Sequence, residues 1–365
     1  MIKLVRPEIP QTAIRELKRV LKSGNLVQGK YVQRFEREIE EYLSVKNVVV
    51  VSSGTAALHL SLLALDIKPG DEIILPVFTF PATANVIELV GAVPVFIDIN
   101  ESDFCINSTK IRDKINPKTK AIIPVHEFGQ SANMHELLEI AKEFNLKLIE
   151  DAACALGTEY NGNKVGTLGD IGCFSFHPRK AITTGEGGAI VTNNNLIAKK
   201  IRALRNHGIE QVEKKLEFNY AGLNYRMTDF QAVLGIYQIK KINSILDKRI
   251  QVAERYNAAL KKIPWVKTPD KLEQRKNVYQ TYHIIVDENI DRDSLIQYLK
   301  SGGIEVNIGA QALNHVNYYK NKYKLKSQQF PVASAINKSG LALPCGNHIK
   351  RKHINLICNE LLKYK

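Results

Sequence analysis

The sequence predicts an α/β protein in two parts: a large domain built on a mainly parallel sheet flanked by helices, and a smaller C-terminal α/β domain. Three observations lead there. Across the first two thirds, short β-branched runs alternate with amphipathic stretches, and strands alternating with helices give parallel sheets covered on both faces. After Asn224 the pattern changes to long helical stretches. The chain has 365 residues, enough for two domains at roughly 150 residues each.

The strands are expected at Asn47 to Val51, Glu72 to Leu75, Val93 to Ile97, Ala121 to Val125, Leu146 to Ile149, Cys173 to Phe176 and Ala189 to Thr192, each bounded by turn residues. Helical patterns lie between several of them, at Ala56 to Leu65, Ala82 to Val90 and Met134 to Phe144. Asp229 to Ile242 and Ile245 to Lys261 read as longer helices ahead of Pro264. A strand at Tyr282 to Val286, a helix at Arg292 to Ser301 and a helix from His353 complete the smaller part. The expected division is 1–245 for the large domain and 246–365 for the small one. Open parallel sheets bind ligands beyond the carboxyl ends of their strands, so the candidate residues are sought there.

Composition narrows the classes. Hydrophobic residues make up 44% and charged ones 24%, as in folded globular proteins. The longest uncharged stretch, Val48 to Leu65, is broken by Ser52, Ser53, Gly54 and Thr55, which suits a strand, a turn and a helix better than a membrane span. The opening MIKLVRPEIP carries charges and prolines with no apolar run behind them, so export is not expected. Five scattered cysteines without a CxxC pair fit free thiols in a reducing cytoplasm and give no metal-ligand spacing. A net charge of +14 suits an anionic partner. Its lysines are spread along the chain and lack aromatic interleaving, so phosphorylated small ligands are preferred to nucleic acid.

Three motifs carry chemistry. VVVVSSGTAAL (48–58) is an apolar strand that turns on small residues into an alanine-rich helix, whose free amides, with the Thr55 hydroxyl, make a place for a phosphate; such residues are otherwise ordinary caps. LIEDAAC (148–154) sets Glu150 and Asp151 at the end of a strand, where a carboxylate either holds a protonated ring nitrogen or caps a helix. GCFSFHPRKAITTGEGG (172–188) leaves the sheet through a glycine-rich turn and carries Lys180, which desolvation there would make nucleophilic, although a lone lysine is ordinarily a solvated charge. A phosphate cradle, an acid and a lysine together meet the requirements of pyridoxal 5'-phosphate.

The chain resembles the DegT-type aminotransferases that act on nucleotide-linked keto-sugars, within the fold-type-I pyridoxal-phosphate enzymes. The likeness runs from SGNLVQG (23–29) through SSGTAALHLSLLAL, PVFTFPATANVIELVGAVPVFIDI, AIIPVHEFGQ, IEDAACALG and FSFHPRKAITTGEGG to GLNYRMTDFQAVLG. It implies Lys180 as the Schiff-base lysine and Asp151 as the partner of the pyridine nitrogen. Gly54, Thr55, Ala56 and Ser175 match the phosphate-anchoring region, and Phe80 matches an aromatic that stacks on the cofactor ring, where the residues alone favour a core phenylalanine. Asn224 matches a residue that reaches the phosphate from the other subunit of a homodimer; alone it reads as a turn residue. Cys154 departs from the Gln or His that the family often has near the cofactor's phenolic oxygen, and a thiol is a poor donor for that role or simply a small packing residue. His126 and His177 read equally well as structural. The implied reaction moves an amino group from an amino-acid donor, glutamate by the resemblance, to a nucleotide-linked keto-sugar in two half-reactions, in the cytoplasm. A pyridoxal-phosphate sugar dehydratase is the rival enzyme, opposed by the intact Lys180, since those relatives carry histidine in its place. A non-catalytic regulatory or binding protein on the same fold is the rival of another class.

Overall fold

The computed structural model describes residues 1–364. Seven strands form the central sheet: β1 (Asn47–Val51), β2 (Glu72–Pro76), β3 (Val93–Ile97), β4 (Thr119–Ile122), β5 (Lys147–Asp151), β6 (Ile171–Ser175) and β7 (Gly188–Thr192). Their order is β1-β7-β6-β5-β4-β2-β3. Only β7 runs against the others, pairing antiparallel with β1 and with β6. The remaining pairs are parallel. The predicted mainly parallel sheet is therefore present.

Among the described residues twelve α-helices accompany it: α1 (Gln11–Ser23), α2 (Lys30–Leu43), α3 (Gly54–Ala64), α4 (Ala82–Leu89), α5 (Met134–Glu143), α6 (Asn195–Arg205), α7 (Asp229–Ile239), α8 (Ile242–Leu260), α9 (Arg292–Ser301), α10 (Asn317–Tyr323), α11 (Pro331–Ser339) and α12 (Arg351–Lys363). Alternate residues of β1 explain the layering. Val49 and Val51 pack with Leu58, Leu60 and Ile201 of α3 and α6, whereas Val48 and Val50 pack with Phe35, Ile39 and Ile236 of α2 and α7. α3 is apolar nearly all round and is buried accordingly. α1, α2 and α6 were not among the expected helices, although Val32, Phe35, Ile39 and Leu43 of α2 bury one face at helical spacing.

The ends of two strands differ from expectation for identifiable reasons. β4 stops at Ile122 because Pro124 has no amide to donate; the chain instead bridges at Val125 to Asp151. β5 runs on through Glu150 and Asp151, whose charge reads as a turn but whose backbone stays in the ladder with β6.

The smaller unit surrounds a three-stranded antiparallel sheet, Val266–Lys267, Tyr282–Val286 and Gly340–Leu343, packed by the second half of α8, α9 and α12. Packing cuts across the expected 1–245 and 246–365 division. Ile2 bridges to Ile304, so the first residues pack with the smaller unit. Ala310 to Ile336 rests on the core of the large one, where the Asp98 carboxylate accepts from the Val332 and Ala333 amides at 3.2 and 3.0 Å and so caps α11. The five cysteines are free. Among the described residues no helix is long and apolar enough to cross a membrane, and no cluster of His, Cys, Asp and Glu is arranged to hold a metal ion.

Candidate active site

At the carboxyl edge of β1, β5 and β6 lies a cleft of about 570 Å³, closed on its far side by residues 307–311 and 342–345 of the smaller unit. Gly54, Thr55, Phe80, Asp151, Cys154, Ser175 and Lys180 all line it. Ala56 and Asn224 do not.

The start of α3 forms one wall. The Ser53 Oγ accepts from the Ala56 amide at 3.0 Å, so Ala56 is engaged within the cap and is itself buried. The amides of Gly54 and Thr55 are left as the free donors of the first turn. A Cβ on Gly54 would lie 2.9 Å from the Ser175 Cβ; the absence of a side chain there lets the helix start and the end of β6 approach closely. Two amides and the Thr55 and Ser175 hydroxyls thus converge around a space suited to a phosphate.

The two acids that end β5 have separate surroundings because successive strand residues face opposite ways. Glu150 is wholly buried and accepts from the Gly166, Leu168 and Gly169 amides, each at 2.7 Å, and lies 2.9 Å from His126 Nε2. His126 Nδ1 accepts from the Ala132 amide at 3.1 Å, so Nε2 holds the proton and donates it. Both residues secure loops. Asp151 instead faces the cleft, its Oδ2 accepting from the Thr83 hydroxyl at 2.8 Å and its Oδ1 from the Ala153 amide at 3.2 Å. Burial pushes its carboxyl above the usual range, and those hydrogen bonds, with the more distant Lys180, only partly oppose the rise. Asp151 is a buried acid with no ion pair within 4 Å among the described residues, and a cationic partner placed in the cleft would relieve it.

Lys180 stands on the turn between β6 and β7. Its amide donates to the His177 carbonyl at 2.8 Å, and its Nζ donates to the Cys154 Sγ at 3.0 Å. Burial holds the Cys154 thiol up, so it meets the amine as a neutral group. The Gln280 Nε2 donates to the Arg179 carbonyl at 2.8 Å and ties this turn to the smaller unit. Burial lowers His177 below its usual value, leaving it neutral; its Nδ1 accepts from the Arg179 amide at 3.2 Å and serves the turn. Phe80 is 62% exposed at the cleft and so is not a core residue. Asn224 is exposed away from the cleft, in a backbone bridge with Asn206.

Sequence reasoning missed Ser53, Thr83, Gln280 and above all Glu127. Glu127 follows an apolar strand in VHEFG, the same signal that drew attention to Asp151, but His126 distracted from it. It lines the cleft almost wholly buried, and burial raises its carboxyl to about 7, with Lys180 the largest opposing influence.

A phosphate cradle, a buried acid lacking a cation and a lysine on the facing turn fit pyridoxal 5'-phosphate, and this combination marks the class of enzymes that use that cofactor. A profile of the DegT/DnrJ/EryC1/StrS aminotransferase family matches residues 7–362. The chain is 34% identical to the GDP-perosamine synthase of Vibrio cholerae over 373 residues, covering 100% of this chain and 99% of that one. The fold is similar to that of Helicobacter pylori PseC, an aminotransferase of pseudoaminic acid biosynthesis, with a TM-score of 0.94 at 29% identity over 99% and 98% of the two chains. It is also similar to that of Spr1654, a putative sugar aminotransferase of Streptococcus pneumoniae, in its PLP form, with a TM-score of 0.92 at 28% identity over 99% and 97%. The chain belongs to the DegT/DnrJ/EryC1/StrS aminotransferase family. It is an aminotransferase, and its cofactor is pyridoxal 5'-phosphate.

Proposed function

We propose that the protein transfers an amino group from glutamate to a nucleotide-linked keto-sugar, giving an amino-sugar. The observation that carries this is the pairing of Lys180 with Asp151 across a cleft of nucleotide-sugar size, in a chain whose relatives include a GDP-perosamine synthase.

When bound, the cofactor supplies an electron-accepting ring and a carbonyl that exchanges amines. The chain's own groups do the rest. The Gly54 and Thr55 amides and the Thr55 and Ser175 hydroxyls hold the phosphate, with Ala56 serving from behind as the residue whose amide fixes the Ser53 cap. Phe80, exposed at the cleft, would cover the ring. Asp151, whose burial makes its charge costly, would hold the cofactor's protonated ring nitrogen, and Thr83 fixes the carboxylate's orientation. The Lys180 Nζ takes a proton from the substrate carbon in one half-reaction and returns one in the other. Cys154 receives the amine's hydrogen bond and fixes where Nζ rests.

The second subunit belongs to the same reading. Asn224 is exposed beside the hairpin Ile209–Val212 and Lys215–Phe218, on which Leu216 and Phe218 are apolar and open to solvent. A second copy covering that patch would carry Asn224 toward its own phosphate cradle.

The test is amination itself. Purified protein is incubated with glutamate and each of a panel of keto-sugar nucleotides, with 2-oxoglutarate and the product's nitrogen position followed by NMR. Stoichiometric 2-oxoglutarate and a new C–N bond are expected. Loss of a hydroxyl without gain of nitrogen would instead assign a dehydratase, and no turnover across the panel would return the non-catalytic reading.

A further inference from the structure

Glu127, Arg179 and Glu186 line the cleft as charged side chains to which no part of this mechanism gives a task, and of the three only Arg179 is a cation. Among the described residues that line it, Arg179 and Lys180 are the only arginine and lysine. Lys180 is committed to the chemistry. Although the chain carries a net charge of +14, a single guanidinium is thus left in the cleft to meet the negative charge that substrates bring.

The main chain at Arg179 is held from both units. Its amide donates to the His177 Nδ1 at 3.2 Å, its carbonyl accepts from the Gln280 Nε2 at 2.8 Å, and the next amide, that of Lys180, donates to the His177 carbonyl at 2.8 Å. The side chain, by contrast, is exposed and makes no hydrogen bond, ion pair or ring contact with any described residue. Glu186, also exposed at the cleft, forms no ion pair with it. The anchor is fixed and the charge is free.

Both substrates of the proposed reaction are anions. The amino-acid donor carries carboxylates, one of them on the reacting carbon, and the nucleotide-linked sugar carries a diphosphate. Consecutive Cα atoms are about 3.8 Å apart, so the guanidinium starts from beside the amine that works on that carbon. Its planar fork matches the paired oxygens of a carboxylate or a phosphate. The cofactor's phosphate has its own donors at the start of α3 and the end of β6.

We propose that Arg179 is a specificity-determining residue: its guanidinium receives the anionic oxygens of a substrate, a carboxylate of the donor or the diphosphate of the nucleotide, and holds the reacting carbon toward Lys180. The identity of these anions rests on the proposed reaction; the anion subsite itself does not.

Holoenzyme is titrated calorimetrically with two kinds of unreactive probe. Glutarate has the donor's two carboxylates without its amine, and UDP or GDP has the diphosphate without the keto-sugar. Arg179→Gln should weaken at least one of them about tenfold or more, as expected for lost charge-assisted hydrogen bonds, and Arg179→Lys should recover part of the loss. Loss on glutarate alone assigns the subsite to the donor, loss on the nucleoside diphosphate alone assigns it to the sugar substrate, and loss on both makes it common to the two half-reactions. Because no described residue bonds to the side chain, the melting temperature and the affinity for pyridoxal 5'-phosphate should stay unchanged. In turnover the KM of the matching substrate should rise by the same factor with kcat little altered. Unchanged probe binding, or no binding by the wild type, would make Arg179 a solvated surface charge and overturn the proposal. A parallel loss of pyridoxal 5'-phosphate would overturn it too, by giving the guanidinium to the cofactor's phosphate. Probe binding that depends on Arg179 in a protein that aminates no keto-sugar nucleotide would leave the subsite standing and remove the proposed reaction. Amination with unaltered probe binding would do the reverse.

Discussion

Asp151 sits where burial and function oppose each other: a carboxylate that water cannot reach is stable only beside a cation. Asp151→Asn keeps the shape and the Thr83 contact but removes that charge. Cofactor retention should be largely preserved while the proton-transfer step, followed by single-turnover absorbance, slows by roughly two orders of magnitude or more. Near-normal turnover would reduce Asp151 to a cap. Glu127 yields a different kind of prediction. Its carboxyl loses its proton near 4.5 in an unfolded chain and at about 7 in the folded one, so folding favours the protonated form. The stability this gives is complete below about 4.5 and is lost as pH rises through about 7, amounting to about 3 kcal/mol. Gln at that position cannot ionise. The melting temperature of cofactor-free Glu127→Gln relative to wild type should therefore rise steadily between pH 5 and 8, and a constant difference would show that the carboxyl is not desolvated. At this scale the meeting of Lys180, Asp151 and Ser175 in one cleft was legible because their motifs are contiguous. Thr83 was not, since its partner lies 68 residues away.

The elements that bear these residues depend on a few tight contacts. Gly188 opens β7 directly behind the phosphate cradle, and a Cβ there would lie 2.4 Å from the Ser53 carbonyl oxygen and 2.8 Å from the Gly54 nitrogen. Both are backbone atoms, so Gly188→Ala must displace the start of α3. Cofactor affinity, measured by equilibrium dialysis, should fall at least tenfold while the far-ultraviolet spectrum stays native. Along the free edge of β1, Glu36 of α2 accepts from the Val50 amide at 3.1 Å and from Arg205 of α6 at 2.7 Å, and Arg205 also donates to the Val50 carbonyl at 2.7 Å. This buried pair satisfies the free edge of β1. Arg205→Ala leaves Glu36 buried opposite the partly exposed Arg202 alone, and chemical denaturation should show a loss of about 3–5 kcal/mol. The sequence read Asn47 to Val51 and Val93 to Ile97 to the residue because turn residues bracket both. It passed over α2 because seven of its fourteen residues are charged, which hides the buried stripe.

For the whole molecule the decisive question is how many chains make a site. Lys180→Ala and Asn224→Ala are each expected to be weak as homodimers. Unfolded and refolded together in equal amounts, half of the dimers would be mixed, with one site collecting both defects and the other none. Activity should then return to roughly a quarter of wild type. A mixture no more active than its parents, with mixed dimers present by native mass spectrometry, would place Asn224 in the service of its own chain. The two-part organisation was legible from the change of pattern after Asn224. The exchange of segments between the parts was not, because Ile2 pairs with Ile304 and Asp98 caps α11 across more than two hundred residues, distances over which no local pattern speaks.

The one reversed strand also sets the order in which a nascent chain can assemble its site. β1 has no neighbour in the sheet except β7, so the segment that ends in the phosphate cradle is among the first to leave the ribosome yet has nothing to pair with until residues 188–192 follow it. Lys180 is made just before that moment, on the connection between β6 and β7. A chain still in synthesis therefore acquires its lysine and its cradle almost together, and any ribosome-bound fragment ending before residue 188 should leave pyridoxal 5'-phosphate unbound.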